Sequence, residues 1–397
     1  MKKILFLMSD TGGGHRAAAE AIRDALLTKY EAEIKLVDVF RSYSPFPFKY
    51  MPEFYPWLIN HSKSSWGVGY KLSNSRRNAR TLSRGMYVTM ESGMKQMLRD
   101  NPADVVVCVH SVLTRVSMQA LLSFEKRPPF IVVVTDLVST HMFWYDRRAD
   151  RTLLPTQPAY ERGLWAGLKP EQMRITGLPV HPRFAEGLTD KATARAALGW
   201  DPDLPAVLVV GGGEGMGPIY KTARAIDSRK LKCQLAIITG RNQALQDRLN
   251  ESVWNQPTHI YGFVTDMPRL MAAADILVTK AGPSTISEAC IAGLPMILYD
   301  AIPGQETGNV DYVVENNAGV FAPSPRAVAE NVQQWLAEGR EGLERRSNNA
   351  RRIGRPNAVW EIADEVWAYA HEPLIPINRR NLLKEVAADV KRFIPSI

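Results

Sequence analysis

Three consecutive glycines followed by a histidine lie near the start of the chain, between an apolar run and an alanine-rich segment. The apolar run at residues 4–8 predicts a buried strand, and Ala18, Ile22 and Leu26 recur at helical spacing. The glycines therefore occupy a strand-to-helix turn, where backbone N–H groups can approach an anionic ligand closely. His15 at the mouth of this turn could take a proton from a hydroxyl group. A structural turn with a capping histidine explains the same residues equally well.

A second polar group follows another apolar run in the second half of the chain. Gly282 ends that run, and Pro283 suits the first turn of a helix. The N–H groups and hydroxyls of Ser284 and Thr285 can then contact phosphate oxygens. Glu288, about one turn later, can accept two hydrogen bonds from a ribose diol. A carboxylate favoured by the helix dipole is the structural alternative for Glu288.

The segment at residues 300–309 adds an amide, a carboxylate and another amide on a Pro-Gly loop, at Gln305, Glu306 and Asn309. Such a dense set of donors and acceptors is typical of sites that bind sugar hydroxyls. Phe263, just before a predicted helix, could offer a ring to a base. Together with the phosphate-binding turn and the diol-binding carboxylate, these residues predict a nucleotide-sugar pocket.

The elements that position these residues alternate between apolar strands and helical patterns. The predicted strands cover residues 4–8, 33–39, 105–109, 131–135, 207–210, 234–239, 276–279 and 296–299. This alternation predicts an α/β protein with parallel sheets, and a second glycine-rich turn at residues 211–217 predicts a second unit of the same kind. We therefore expect two doubly wound, Rossmann-like domains that face each other across a cleft.

We expect the two domains to cover residues 1–178 and 179–371, with a proline-rich hinge at residues 176–205. The first would face the acceptor and the membrane, and the second would bind the nucleotide sugar. Residues 381–397 carry apolar side chains at near-helical spacing. They predict an amphipathic helix, so that residues 372–397 would pack back on the first domain.

Residues 40–70 break the pattern, because they combine many aromatic side chains with four prolines and show no strand or helix period. A long stretch without structure inside a compact domain is usually functional or mobile. Aromatic residues beside a cationic cluster suit contact with an anionic membrane surface, and a satellite core under a loop is the alternative. The candidate membrane residues are Phe46, Phe48, Trp57, Trp66, Arg76 and Arg77.

The composition is that of a globular protein, with 45% hydrophobic and 23% charged residues in 397. The formal net charge of +8 favours anionic partners. No helix-turn-helix, zinc-finger or RNA-binding signature accompanies it, so we expect no nucleic-acid partner. The apolar run after the basic start is too short for a signal peptide and lacks a cleavage site. Cys108, Cys233 and Cys290 have no metal-ligand spacing, and they predict buried thiols in a reducing cytosol.

These motifs resemble a known family, the GT-B glycosyltransferases that transfer a sugar from a UDP donor to a lipid. Within them the chain is most similar to the monogalactosyldiacylglycerol synthases and diacylglycerol glucosyltransferases. The N-acetylglucosaminyltransferase of peptidoglycan synthesis is a more distant relative. The matching motifs lie at residues 8–16, 134–136, 176–180, 211–215, 262–263, 280–288 and 303–306.

The resemblance implies an inverting transfer of galactose or glucose to diacylglycerol, with a UDP-sugar as donor and no metal ion or other cofactor. It implies catalytic roles for His15 and Asp136, and an acceptor region that includes His141 and Trp144. The implied donor-site residues are Gly14, Gly212, Gly213, Arg241, Phe263, Val264, Lys280, Gly282, Pro283, Ser284, Thr285, Glu288, Gln305, Glu306 and Asn309.

Two other functions fit parts of this pattern. A transferase for a peptidoglycan or polyprenyl-diphosphate acceptor would use the same donor pocket, and a non-catalytic UDP-sugar sensor would need no base at His15. The aromatic segment argues against the first, and the intact His15 argues against the second. We expect a cytoplasmic enzyme that binds anionic lipid on the cytoplasmic membrane face.

Overall fold

The computed structural model describes residues 1–378 except Gly12, Glu214 and Met216. Within this range it leaves undescribed the side chains of Pro56, Ile59 and Asn60. The helix predicted over residues 381–397 lies outside the described residues.

The first half of the chain forms a parallel sheet with helices on both faces. The sheet consists of the strands β1 (Lys2–Met8), β2 (Ala32–Asp38), β3 (Val105–Cys108), β5 (Phe130–Val133), β6 (Arg151–Leu154) and β7 (Met173–Ile175). A short strand, β4 (Lys126–Arg127), lies outside this sheet. The helices of this half are α1 (Gly14–Lys29), α2 (Val39–Tyr43), α3 (Met51–His61), α4 (Lys63–Ser73), α5 (Arg76–Asp100), α6 (Ser111–Leu121) and α7 (Gln157–Ala166). The order in the sheet is β2-β1-β3-β5-β6-β7.

The second half repeats this architecture. Its strands are β8 (Ala206–Val210), β9 (Gln234–Ile238), β10 (Thr258–Tyr261), β11 (Ile276–Lys280), β12 (Met296–Asp300) and β13 (Gly319–Phe321), in the order β10-β9-β8-β11-β12-β13. Its helices are α8 (Pro182–Glu186), α9 (Lys191–Leu198), α10 (Ile219–Asp227), α11 (Gln243–Asn250), α12 (Met267–Ala273), α13 (Pro283–Ala292), α14 (Thr307–Glu315), α15 (Pro325–Ala337) and α16 (Gly339–Ile353). The predicted fold of two doubly wound domains is confirmed.

Each sheet separates two cores because successive side chains of a strand point to opposite faces. In β1, Leu5 and Leu7 belong to one cluster of buried side chains, whereas Ile4, Phe6 and Met8 belong to the cluster under α1. All eight predicted strands are present. The sequence analysis missed β6, β7, β10 and β13, which are only three or four residues long, and all but β13 include polar or charged residues.

The structure differs from the prediction in the length of the hinge and in the residue at which the chain goes back to the first domain. Within the predicted hinge, Phe184, Ala194 and Trp200 pack into the core of the second domain. The first crossing, by which the chain passes from the first domain to the second, therefore comprises only residues 176–181. The chain returns before residue 372, because α17 (Ala358–Tyr369) lies on the first domain and packs against α1. A final short strand, β14 (Ile375–Pro376), pairs antiparallel with β4.

The two crossings between the domains touch each other. Gly177 in the first crossing has a positive φ of 102°. A Cβ atom at this position would lie 2.6 Å from the Cβ of Arg355, in the second crossing (residues 354–357), and 2.9 Å from that of Ala358, the first residue of α17. The close approach and the left-handed backbone both require glycine here.

The aromatic segment is not structureless. Residues 40–70 fold into α2, α3, most of α4 and a short 3-10 turn at Phe48–Tyr50. Pro52 stands in the first turn of α3, where a missing N–H costs nothing. Of the four prolines that suggested a loop, Pro45 and Pro47 lie between α2 and the 3-10 turn, Pro52 lies at a helix start, and Pro56 lies within α3.

Removing side-chain volume at the contact between α17 and the first sheet should destabilise the first domain. Ile362 is fully buried there among Ile22, Leu26 and Val366. We expect Ile362→Ala to lower the free energy of unfolding by about 2–5 kcal/mol, measured by urea denaturation with circular dichroism. Ala368→Ser, at an exposed position of the same helix, should change it by less than about 0.5 kcal/mol. Equal effects of both variants would contradict the assignment of α17 to the first domain.

Candidate active site

The glycine-rich turns lie where each sheet reverses its strand order. In the first sheet β1 lies between β2 and β3, and in the second β8 lies between β9 and β11. Ligands of such sheets bind beyond the carboxyl ends of the strands at this reversal. The turn before α1 follows β1, and the turn before α13 follows β11. The two predicted groups of site residues therefore occupy the expected position in each domain.

His15 is the second residue of α1, which begins at Gly14, and its ring is held in a defined orientation. Its Nδ1 lies 2.8 Å from the carbonyl oxygen of Val109 and 3.0 Å from Oγ1 of Thr135. Because a carbonyl can only accept, Nδ1 carries the proton and Nε2 keeps its lone pair in the neutral ring. Burial lowers the pKa of His15 to about 4, and the bond to Val109 opposes this. His15 is thus a neutral imidazole whose Nε2 lone pair can accept a proton or a hydrogen bond.

A second histidine, which the sequence analysis missed, supports this ring. The ring centroids of His110 and His15 are 4.4 Å apart, and Nε2 of His110 lies 2.7 Å from Oγ1 of Thr11. His110 thereby connects the glycine-rich turn to the end of β3. A signal existed, because His110 is a polar residue soon after a fully apolar strand. The rule that strand ends carry the site would have identified it.

Asp136 lies at the carboxyl end of the neighbouring strand β5, but it does not hold His15. Its Oδ2 accepts a hydrogen bond of 2.6 Å from Nε1 of Trp144. Burial raises the pKa of Asp136 to about 6, and hydrogen bonds from Trp144, His141 and Gln305 oppose this rise. The partner that fixes the histidine tautomer is instead the Val109 carbonyl.

Trp144 and His141 do not face an acceptor surface as expected. Trp144 is fully buried, and His141 is 4% exposed. The Nε2 of His141 lies 3.0 Å from Oγ of Ser73, and burial lowers its pKa to about 4. These two side chains therefore brace the loop that carries Asp136.

In the second domain, Lys280 lies between two glycines. A Cβ atom at Gly212 would lie 3.8 Å from Cε of Lys280, and one at Gly282 would lie 3.4 Å from its Nζ. Nζ also forms an ion pair of 2.9 Å with Glu306, whose other oxygen accepts from the N–H of Ile302. The ion pair joins the turn after β11 to the loop after β12. It places one cation beside both turns of this domain.

The start of α13 combines hydrogen-bond donors with a carboxylate. Pro283 is in its first turn and Gly282 caps it without a side-chain bond, so the N–H groups near Ser284 and Thr285 can bind a ligand. Glu288 follows one turn later. Burial alone raises its pKa to about 7. Glu288 has no hydrogen-bond partner among the described residues, so its carboxylate can accept bonds from hydroxyl groups.

A cation and a ring lie beside the turn after β8. The guanidinium of Arg241 lies over the ring of Phe263, with 4.3 Å from its Cζ to the ring centroid. The N–H of Arg241 donates to the carbonyl of Gly213 at 2.9 Å. Phe263 is 55% exposed, whereas Val264 packs on the core of the second domain. This group can offer a flat surface to a base.

The loop after β12 is held from both sides. Oε1 of Gln305 accepts a bond of 3.0 Å from the hydroxyl of Tyr55 in the first domain. Asn309 is 1% exposed, and its amide donates to the carbonyl of Ala281. Asn309 therefore supports the turn from behind and does not line the cleft. Gln305 is the member of the predicted trio with a half-buried side chain between the domains.

The candidate membrane residues divide into two sets. Phe46 is 79% and Trp57 is 53% exposed, and Arg76 and Arg77 are exposed too. Phe48 packs on the first core, and Trp66 is half-buried with its ring centroid 5.1 Å from that of Tyr55. Phe48 and Trp66 are therefore less accessible than Phe46 and Trp57. We define the exposed apolar group as Phe46, Tyr50, Phe54, Trp57, Val68 and Leu72.

Two features are absent from the described part of the chain. No group of three or more His, Cys, Asp or Glu side chains there could hold a metal ion. None of the helices described there combines the length and apolar character needed to cross a bilayer.

Solved structures share this fold. MurG of Acinetobacter baumannii superposes with a TM-score of 0.63 over 93% of this chain and 100% of its own, at 14% identity. UDP-GlcNAc 2-epimerase of Neisseria meningitidis gives a TM-score of 0.60 over 92% and 100%, also at 14% identity. These similarities establish the GT-B fold.

Two family models match the chain, one in each domain. The model for monogalactosyldiacylglycerol (MGDG) synthase matches residues 15–180, from His15 through the first crossing. The model for the glycosyltransferase family 28 C-terminal domain matches residues 206–364. The two matches together cover most of both domains, including His15 and the glycine-rich turn after β8.

Sequence relatives correct one prediction. Monogalactosyldiacylglycerol synthase 2, chloroplastic, of Arabidopsis thaliana is 38% identical, covering 92% of this chain and 80% of the relative. A probable synthase of Nicotiana tabacum, 40% identical over 92% of this chain and 70% of its own, is also named chloroplastic. The predicted location, cytoplasmic at the face of the cytoplasmic membrane, is contradicted by these names and is wrong.

The similarity extends over nearly the whole chain. The probable monogalactosyldiacylglycerol synthase 2, chloroplastic, of Oryza sativa subsp. japonica is 40% identical over 384 residues, which cover 94% of this chain and 81% of the relative. Relatives with this degree of identity and coverage establish the family of the chain. The chain belongs to the monogalactosyldiacylglycerol synthase family.

Proposed function

We propose that this protein transfers galactose from UDP-galactose to diacylglycerol, with inversion at the anomeric carbon. The observation that carries the proposal is the orientation of His15, whose Nδ1–H is bound to Val109 while Nε2 keeps its lone pair. The names of the full-length relatives favour galactose as the sugar and diacylglycerol as the acceptor. They also favour this acceptor over a peptidoglycan or polyprenyl-diphosphate lipid.

In the proposed reaction, the primary hydroxyl of diacylglycerol donates its proton to Nε2 of His15. Its oxygen forms a bond to the anomeric carbon while the bond from that carbon to the UDP oxygen breaks. The electron pair of the broken bond leaves with UDP, and the single displacement inverts the configuration. The Val109 carbonyl stabilises the imidazolium that forms, and the negative charge of the departing diphosphate favours it as well.

The donor would lie against the second domain. The N–H groups at the start of α13 and the hydroxyls of Ser284 and Thr285 would bind the diphosphate, with Lys280 beside them. Charge that develops on UDP is then met by donors already in position, which is the main way in which enzymes stabilise such a leaving group. Glu288 would accept hydrogen bonds from the ribose diol, and Phe263 would contact the base.

We propose that the chemical step needs no divalent ion. The side chains of Lys280 and Arg241 and the positive end of the α13 dipole can stabilise the negative charge of a diphosphate. Turnover in excess chelator should therefore equal turnover without it. Loss of activity that magnesium or manganese restores would contradict this.

For the acceptor side we propose that the exposed apolar group docks on anionic membrane. It lies on the segment that also carries exposed Arg76, Arg77 and Arg84. Aromatic rings settle at the level of the lipid headgroups, and each basic residue near an anionic surface contributes about 1 kcal/mol. The contribution of the charges fades with salt, whereas that of the rings does not.

His15→Ala should lower turnover by roughly a hundredfold or more, the usual contribution of a positioned general base, and leave UDP binding nearly unchanged. Turnover is measured as galactolipid formed from diacylglycerol vesicles, and UDP binding by calorimetry. His371→Ala, at an exposed histidine just after α17, serves as the control. Near-normal turnover of His15→Ala would remove this residue from the mechanism.

The Glu288 carboxylate, with a pKa near 7, should make donor binding depend on pH. Ribose hydroxyls bind the ionised form, so below pH 7 binding must expel a proton and should weaken by up to about tenfold per pH unit. UDP-galactose is the right probe, because its diphosphate has no group that titrates near neutral pH. Glu288→Gln should bind more weakly above pH 7, by about 1.5–3 kcal/mol, and lose the pH dependence.

The assignment can be contradicted in two ways. Parallel pH profiles for the wild type and Glu288→Gln would show that another group titrates. Equal affinity of the wild type for UDP and for its 2′-deoxy analogue would show that the diol does not contact Glu288.

Membrane binding should separate into two contributions in a salt series. Trp57→Ala should weaken sedimentation with anionic vesicles about equally in low and high salt, because the apolar contribution is not screened. Arg77→Glu with Arg84→Glu should weaken it strongly in low salt and much less in high salt. Arg326→Glu with Arg340→Glu, in the second domain, is the matched charge control. Wild-type binding by both test variants would place the membrane contact elsewhere.

A further inference from the structure

One helical hairpin of the first domain directly contacts the loop after β12 in the second. The hydroxyl of Tyr55 in α3 donates to Oε1 of Gln305 at 3.0 Å. Lys63, at the start of α4, forms an ion pair with Asp300. These contacts join the hairpin of α3 and α4 to the loop in which we place the sugar contacts.

The hydrogen bond from Tyr55 determines which end of the Gln305 amide faces the cleft. An amide side chain has one accepting oxygen and one donating nitrogen, and the two exchange places when it flips. Because Tyr55 occupies the oxygen, the nitrogen is turned the other way. Gln305 also hydrogen-bonds to Asp136, whose carboxylate can only accept. Both bonds require the same orientation of the amide.

Tyr55 is itself held firmly. Its ring contacts Trp66 edge-on, with 5.1 Å between the centroids and an interplanar angle of 81°. Burial first, and then the nearby charges of Asp136 and Glu306, raise its pKa well above the ordinary value. The phenol therefore stays protonated at neutral pH and can donate a hydrogen bond to Gln305.

We propose that Tyr55 is a positioning residue for the donor sugar, acting through Gln305. With its oxygen bound to Tyr55 and one N–H bound to Asp136, Gln305 presents its second N–H to a sugar hydroxyl and so requires that hydroxyl to accept. In the epimeric sugar the corresponding hydroxyl points in another direction and does not reach the amide of Gln305. This inference rests on the proposed function, because it takes Gln305 as a sugar contact.

The test is Tyr55→Phe, which removes one oxygen atom and keeps the ring against Trp66. We expect KM for UDP-galactose to rise about three- to tenfold, the value of one neutral hydrogen bond, with kcat changed less than twofold. The preference for UDP-galactose over UDP-glucose, as a ratio of kcat/KM, should fall. Inhibition by UDP, which has no sugar, should stay the same.

Tyr87→Phe is the matched control, because Tyr87 is another half-buried tyrosine of the first domain with a hydroxyl bonded to Glu91. It should leave all four quantities at wild-type values. A merely structural role of Tyr55 would weaken UDP and UDP-galactose binding alike, and this result would overturn the proposal.

Gln305→Ala separates the inference from the proposed function. If Gln305→Ala raises KM for UDP-galactose and Tyr55→Phe does not, the sugar site stands and the role of Tyr55 is overturned. If Gln305→Ala leaves KM unchanged, the assignment of the sugar site fails, and the inference fails with it. If both raise KM and the double variant adds nothing to Gln305→Ala alone, the two residues act through one contact, as proposed.

Discussion

Both domains depend on the same constraint, the reversal of strand order within a parallel sheet. Helices that connect strands on the two sides of such a reversal pack on opposite faces, so no helix covers the strand ends between them. In the first domain this uncovered edge receives the turn before α1, with His15, and the residues after β3, with His110. In the second it receives the turns after β8 and β11. Each half of the site is thus a consequence of sheet topology.

The second determinant is burial without charge compensation. His15 is kept neutral and Glu288 has its pKa raised because both are removed from water with no ionic partner. Lys280 and Glu306, by contrast, neutralise each other across two loops. The cleft therefore holds two titratable side chains without an ionic partner, His15 and Glu288, together with one ion pair. In the proposed reaction, bonds would form and break between His15 in the first domain and the groups of the second domain.

The parts of this arrangement that depend on local pattern could be predicted from the sequence. The turn with His15 and the start of α13 with Glu288 each combine an apolar strand, glycine and helical periodicity within a short stretch. The local pattern marks His110 as a polar residue at a strand end but does not show its contact with His15, and it gives no signal for Tyr55. His110 reaches His15 through the pairing of β1 with β3, and Tyr55 reaches Gln305 across the cleft.

Composition also could not distinguish the two faces of the aromatic segment. Phe46 and Phe48 are separated by one residue, yet one is exposed and the other packs on the core. The same limit applies to α17, whose apolar face would fit either domain as far as its pattern shows. Which surface such a face covers is decided by the packing of the whole chain.

The contact between the two crossings has a mechanical consequence. Two rigid bodies joined by separate, distant linkers can slide, twist and bend relative to each other. Here Gly177 and Arg355 meet at one place, so the linkers act together as a single pivot. The domains can then rotate about that point but cannot translate past each other. A rotation of this kind narrows the far mouth of the cleft most, and its base keeps nearly the same width.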